Sequence, residues 1–449
     1  MMPEAALRGR GAAPTLSAMR SILTAAALLL ALPAAAQLSP AETKMTAMVD
    51  TEAERTLGLL ERLVNQNSGT LNLAGVRATG DLLRLEFEAL GFKVDWREVP
   101  QTQRAGHFIA THKGNDRGKR LLLIAHLDTV FEPTSLFQKY RREGDRAIGP
   151  GVTDDKGGIA VIIAALRAMQ AGGTLKAADI TVVLTGDEEK TGEPISQARA
   201  ALIEAGKWAD IALEFENLAR ENGQDFGTIA RRSANNWTLV TTGKTGHGGS
   251  VFGPELGYGA SYEIVRILDA WRRELPEENL TFNIGVIGGG TPASIDPTGV
   301  KVSAEGKTNV VAAQAIARGD LRSLTPEQDA RARAAMQAIV AQHLPGTGAT
   351  LTFQDNTPPM APTEGNRALL AKLNVANQDL ALPQMAEFPP AKRGAADSSF
   401  VAAYADTMAG MGPSGGSLHA EGEWLDVPSI AIQAKRSAVL MSRLARERR

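Results

Sequence analysis

At 449 residues the chain exceeds one ordinary domain, and its length sets an expectation of two or three. Its 43% hydrophobic and 22% charged residues can bury a sizeable core, while 48 basic against 50 acidic residues give a net charge of -2 and point to neither nucleic acid nor an anionic membrane. Cysteine is absent, which excludes disulfides, thiolate metal sites and a cysteine nucleophile, so any metal must be bound by His, Asp and Glu.

The N-terminus reads as an export signal. Arg20 precedes an apolar run from Ile22 to Leu32, then Pro33 and the small residues Ala34, Ala35 and Ala36. A basic start, a short apolar stretch and an A-x-A site predict cleavage with Gln37 as the mature start, and residues 1–36 as the signal peptide. The run falls short of the roughly 20 apolar residues that a membrane span needs. Met19 is an alternative initiator, because the leader before it is polar and contains Gly and Pro. A periplasmic or secreted location follows as the expectation.

From Pro40 to Leu90 the spacing of Leu57, Leu60, Leu63, Leu83 and Phe87 is helical. Gly91 ends that stretch, and Phe92, Val94 and Trp96 alternate as a half-buried strand does. Arg120 to Ala125 and Ile180 to Leu184 are continuous apolar runs, the pattern of strands covered on both faces, with a helix between them from about Gly158 to Gln170. Ala209 to Phe215 is a third such strand. Buried strands alternating with helices predict an α/β domain, a mostly parallel sheet flanked by helices.

The middle of the chain follows another order. Strand signals at Trp237–Thr242, Leu280–Val286, Val310–Leu321 and Ala349–Phe353 enclose helices at Ala260–Arg273 and from Thr325–Pro326 to His343. That β-α-β-β-α-β order is ferredoxin-like, an α+β unit with two helices on one face of an antiparallel sheet. The Pro-rich stretch Thr357 to Pro362 leads out, and a helix at Asn366–Ala376 resumes the α/β style. The expected division is therefore residues 37–230 and 359–449 for a catalytic domain, interrupted by an inserted smaller domain at 231–358.

Four clusters carry chemistry, each beside or after an apolar segment. His126 and Asp128 are two apart at a strand end and can face the same way, although a solvated strand end explains them equally. Asp154 and Asp155 lie in the glycine-rich turn Gly149 to Gly158, where an N-cap and a flexible loop are the plain alternative. Asp187, Glu188 and Glu189 follow a buried strand, where three successive acids form either a charged turn or a site that cations neutralise. His419 stands in the loop Gly415 to Glu423, a common place for a surface histidine.

The order H-x-D, GPGVTDDKGG, DEE and a late loop histidine resembles the co-catalytic zinc peptidases and deacylases: glutamate carboxypeptidases, acetylornithine deacetylases and succinyl-diaminopimelate desuccinylases. HLDTV, TGDEEK and PELG make the glutamate carboxypeptidase branch the nearest in pattern. The resemblance implies two zinc ions per chain, with cobalt or manganese as alternatives. It implies His126 on one ion, His419 and Glu189 on the other, Asp154 bridging both, Glu188 as general base and Asp128 orienting His126. A further acidic ligand belongs after the third strand, where the register favours Glu216 and Glu214 is the fallback. In the inserted domain, a lid and dimer interface in that family, His247 resembles a histidine that stabilises the oxyanion in the opposite subunit of a homodimer. Asn309, Arg322 and Gly394 resemble substrate contacts, although Gly394-Ala395-Ala396-Asp397 departs from the usual Gly-Gly-Thr-Asp.

The function these readings imply is release of a C-terminal amino acid, glutamate among the candidates, from a peptide or N-acyl amino acid. The alternatives are an N-acyl-amino-acid amidohydrolase or dipeptidase with the same metal site, and a non-catalytic binding protein on the same scaffold. His107, His112 and His343 match no motif and read as structural or solvent-facing.

Overall fold

Two apolar strands, Leu121–His126 and Ile180–Thr185, are buried along their whole length and run side by side in parallel. The chain is described here by a computed structural model covering residues 37–449, so the expected signal peptide and its cleavage site lie outside the described residues. Ile211–Glu214 and Asp406–Met408 extend the sheet in parallel on one side. His107–His112 and then Lys93–Arg97 extend it antiparallel on the other.

Alternation along each strand gives the sheet two apolar faces. Leu121, Leu123 and Ala125 face the main core, where they meet helix Lys156–Ala171 and, beyond it, helices Ala53–Asn65 and Val427–Leu444. Leu122 and Ile124 face a smaller cluster with Leu202, Val401 and Ala405. The sheet is thus covered on both sides, as its uninterrupted apolar runs require. No helix of the described residues is long and apolar enough to cross a membrane.

The helical stretch at 40–90 is divided into three helices, Pro40–Thr51, Ala53–Asn65 and Leu73–Glu88. Local hydrogen bonding makes the breaks. Ser39 and Glu42 form a capping box at the first helix, and the Asn72 side chain caps the third by accepting from the Gly75 N–H. The strand His107–His112 is an element that the apolar pattern did not suggest. The polar segment Leu218–Asp225 becomes a hairpin, with Ala219–Glu221 paired to Gln224–Gly227.

The inserted region has an antiparallel sheet of its own, built from Ala234–Gly243, Gln314–Arg322 and Thr347–Thr357. The strand expected at Leu280–Val286 is two short pieces, Thr281–Phe282 and Val286–Gly290, both paired with Gln314–Arg322. That partner starts at Gln314 rather than Val310, because Val311 donates to the Gly246 carbonyl and Ala313 to the Gly290 carbonyl instead. Between Val286–Gly290 and Gln314–Arg322 the chain forms an added hairpin, Ala293–Ile295 with Val302–Ala304. Helices Gly259–Glu274 and Pro326–Val340 pack on this sheet around Trp237, Trp271 and Met336, with the two indoles edge to face at 5.1 Å. The chain enters and leaves this region through two segments held together by a bridge, Arg231 and Met360 exchanging backbone hydrogen bonds at 3.0 Å each.

Candidate metal centre

Strand ends supply the first residues of the site. His126 closes the strand Leu121–His126, and its buried imidazole is fixed through both nitrogens. Nδ1 lies 3.0 Å from the Asp128 carbonyl oxygen and Nε2 lies 3.0 Å from Asp154 Oδ1. The Asp128 carboxylate stands 3.5 Å from Nδ1 and has three closer partners. It accepts from the Thr70 hydroxyl at 2.7 Å and from the N–H groups of Glu188 and Glu189 at 3.0 and 3.1 Å. Asp128 therefore joins the His126 strand end to the acidic loop after the next strand.

Asp154 lies between the two histidines that the motifs singled out. Its Oδ2 is 3.0 Å from His419 Nε2, and the same nitrogen is 3.2 Å from Glu189 Oε2. His419 sits in the left-handed backbone region at φ 59°, uncommon for a side chain with a Cβ and held here by its loop. Ligand-capable atoms of His126, Asp154 and Glu189 gather within 4.8 Å of one another, as do those of His126, Glu188 and Glu216.

The two acids after the third strand have separate places. Glu214 is buried and saturated: it accepts from Arg231 Nη2 at 2.6 Å, from the Ser398 N–H at 2.6 Å and from the Ser398 hydroxyl at 2.8 Å. Glu216 accepts from the same Arg231 nitrogen at 2.6 Å but also stands among the ligand atoms. Arg231 Nη1 donates to the Gly394 carbonyl at 2.8 Å, so one guanidinium ties two strand-end acids to the Gly394 turn.

Crowding of like charges is the main electrostatic fact of the site. Burial, and then the nearby Glu216, push the Glu188 carboxyl well above its usual pKa. Burial likewise raises Glu189 and Asp155. Hydrogen bonds to Asp154 and Glu189 hold His419 protonated up to about pH 11. Burial opposes charge on His126, but its contacts with Asp128 and Asp154 outweigh that and raise it as well. Asp155 keeps both oxygens buried without a hydrogen-bond partner, and Glu189 keeps one. Carboxylates and imidazoles converging with unsatisfied oxygens fit divalent cations, and without thiolates the donor set suits zinc.

Three supporting residues carried no signal strong enough to single them out. Glu423 is buried, and its carboxylate accepts from the N–H groups of Gly151, Thr153 and Asp154 at 3.1, 2.8 and 3.0 Å. Burial pushes its pKa up to about 7, against those three donors. It stands four residues beyond His419, so one loop supplies both a candidate ligand and the clamp on Asp154. Arg199 is buried between Asp187 at 2.6 Å and Asp397 at 2.8 Å, which braces the acidic loop from behind. Arg231 is the third.

The remaining candidates stand apart from this cluster. His247 accepts from the Gly249 N–H at 3.1 Å and bridges to Val310, while the Asn309 carbonyl accepts from the Gly248 N–H at 2.7 Å. His247 and Asn309 are thus neighbours, and among the described residues no hydrogen bond or ion pair joins them to the acids. Arg322 pairs with Asp320 at 2.7 Å. His107 and His112 bond to the carbonyls of Ala198 and Ala178, and His343 lies 3.4 Å from Glu263.

A family model described as Peptidase family M20/M25/M40 matches residues 122–443. Carboxypeptidase G2 from Pseudomonas sp. strain RS-16 is 34% identical over 259 residues, which is 57% of this chain and 60% of that protein. The chain thus spans less than two thirds of this relative's length. Among solved structures, an aminopeptidase PepT from Bacillus cereus matches with a TM-score of 0.67 at 19% identity, covering 88% of this chain and 99% of the other. A dinuclear metal binding peptidase of the M20 family from Bacillus subtilis matches at 0.60 and 17% identity, covering 88% and 98%.

The separate places of Glu214 and Glu216 give a direct test. Glu216→Gln is expected to lower the metal content of the folded chain from about two ions to about one. Glu214→Gln is expected to keep the metal and lose about 3–5 kcal/mol of stability, because a buried Arg231 loses part of its charge balance. Metal analysis and denaturant unfolding would check both, and loss of metal from Glu214→Gln alone would reverse the assignment.

Proposed function

The chain belongs to peptidase family M20/M25/M40, and on that premise we propose that it is an exported di-zinc exopeptidase. It hydrolyses an amide bond and releases a C-terminal amino acid, glutamate foremost, from a peptide or N-acyl amino acid. The observation that carries this reading is that His126 and His419 each lie 3.0 Å from a different oxygen of Asp154, while Glu188, Glu189 and Glu216 bring further ligand-capable atoms to the same place from two other segments. A non-catalytic binding protein would have no need to keep the whole set. N-acyl-amino-acid hydrolysis or dipeptide cleavage uses the same centre and differs only in the substrate that fits.

His126, Asp154 and Glu216 would hold one ion, and His419, Asp154 and Glu189 the other. Zinc, when bound, supplies Lewis acidity for the scissile carbonyl and makes water more acidic. Glu188 also stands among ligand-capable atoms with His126 and Glu216, and the family resemblance gives it the part of general base, off both ions. Its carboxylate takes a proton from the attacking water and returns it to the departing nitrogen. Asp128 fixes Glu188 for this by accepting its backbone N–H at 3.0 Å.

A homodimer belongs to the same proposal. Phe252, Tyr262, Val265, Ile284 and Ile287 expose between 44% and 59% of their surface on the inserted region. Strand Val286–Gly290 pairs with Gln314–Arg322 and with no other strand among the described residues, so its sheet edge is where a second copy would add. His247, which makes no hydrogen bond or ion pair to those acids among the described residues, would then serve the oxyanion of the partner's site, with Asn309 and Arg322 holding substrate.

The test is a panel of N-acyl amino acids and dipeptides given to the mature protein from Gln37, before and after chelation. Chelator-sensitive release of a free C-terminal amino acid is expected. Glu188→Ala should keep its metal and lose about 10²–10⁴-fold in turnover, whereas His419→Ala should lose metal too. Equal metal loss in both would overturn the roles. His247→Ala is expected to lower kcat by about 10²–10³-fold at unchanged metal content, and an unaltered rate would remove His247 from the reaction.

A further inference from the structure

Buried guanidiniums around the centre are mostly answered by carboxylates. Arg199 meets Asp187 and Asp397, and Arg231 meets Glu214 and Glu216. Arg393 is the exception. Its side chain is 10% exposed, and its nearest carboxylate oxygen, on Glu216, is 3.9 Å away. Nη2 donates to the Asn217 carbonyl at 2.6 Å, and Nε is buried with no acceptor. Nη1 donates to nothing among the described residues. Burial, and then the charge of Arg231, lower its pKa to about 10, so it remains a cation at neutral pH.

A second guanidinium stands beside it without a carboxylate. Arg232 donates to the Ala391 carbonyl at 3.3 Å and to the Thr281 hydroxyl at 3.1 Å, and its Nε is also buried and unpaired. Thr281 is in register with Arg322, the arginine already proposed to hold substrate. Cations thus run from Arg393, next to Glu216, through Arg232 to Arg322 on the inserted sheet. One α-carboxylate occupies one guanidinium in bidentate fashion. The surplus calls for a second negative group, because a buried charge without a partner is costly and marks a functional position.

We propose that Arg393 is a specificity-determining residue that receives the side-chain carboxylate of an acidic C-terminal residue, aspartate or glutamate, while Arg322 receives the α-carboxylate. This rests on the exopeptidase reading above. The position suits the role: Arg393 directly precedes Gly394, whose carbonyl is anchored by Arg231 to the Glu214 and Glu216 strand end. Gly394 has open space where a Cβ would stand, so a substrate group can approach the turn.

The experiment compares wild type with Arg393→Gln and Arg393→Lys on N-acetyl-Glu, N-acetyl-Asp, N-acetyl-Gln and N-acetyl-Leu, with zinc content measured for each protein. Arg393→Gln should lose about 10- to 100-fold more kcat/KM on the acidic pair than on the neutral pair, mostly through KM, at unchanged zinc. Arg393→Lys should recover part of that difference. An equal fall on acidic and neutral substrates, or a wild type that does not prefer the acidic pair, would overturn the proposal. An N-succinyl-Gln arm separates the two sources of carboxylate: a selective loss there would move Arg393 to the acyl side and also overturn it. If wild type cleaves nothing on the panel, the exopeptidase reading fails. Calorimetric binding of free glutamate to zinc-loaded wild type and Arg393→Gln then decides Arg393 separately, equal affinity counting against it.

Discussion

Mutual repulsion among buried carboxylates is the constraint on which the rest of this structure depends. Glu188, Glu189 and Glu216, just past strand ends, come together with Asp154 and Asp155 in the turn before helix Lys156–Ala171, and burial and one another's charge push several of them toward the protonated form. Cations entering the cluster would relieve that repulsion. The imidazoles of His126 and His419 are placed to share that charge, each 3.0 Å from one oxygen of Asp154. Two histidines on opposite oxygens of one carboxylate define the two sides of the site before any ion is considered.

Holding that arrangement takes an outer set of charged groups, each braced against a different loop. Glu423 grips the backbone of the Asp154 turn, Arg199 braces the loop of Glu188 and Glu189, and Arg231 grips the strand end of Glu214 and Glu216. Asp128 joins the His126 strand end to the loop of Glu188 and Glu189. Arg231 also lies in the segment that leads into the inserted region, paired there with Met360 in the segment leading out. The joint between the two parts of the molecule and the wall of the centre therefore share one piece of backbone.

Much of this was legible in the sequence, for identifiable reasons. The runs RLLLIA and ITVVL could only be strands covered on both faces, and the residues just past their ends are those a sheet presents together. His126, Asp154, Glu188, Glu189 and His419 each sit inside a short pattern of local chemistry. The strand His107–His112, one in from the sheet edge, has no continuous apolar run to mark it. Glu423 and its Thr153 partner are 270 residues apart, and no local pattern links them. Arg231, Arg199 and Arg393 look like ordinary arginines in sequence, because what distinguishes them is burial. In sequence Glu216 was favoured over Glu214 only through the family resemblance; the physical difference is Ser398, from the far end of the chain, which saturates Glu214.

The central claim is that Asp154 is shared by two ions. Anomalous diffraction at the zinc absorption edge, from crystals of the chain from Gln37 grown with zinc, tests it most directly. The account predicts two peaks, one beside His126 and Glu216 and one beside His419 and Glu189, each in contact with an oxygen of Asp154. A single peak, or peaks that leave Asp154 without contact, would contradict it.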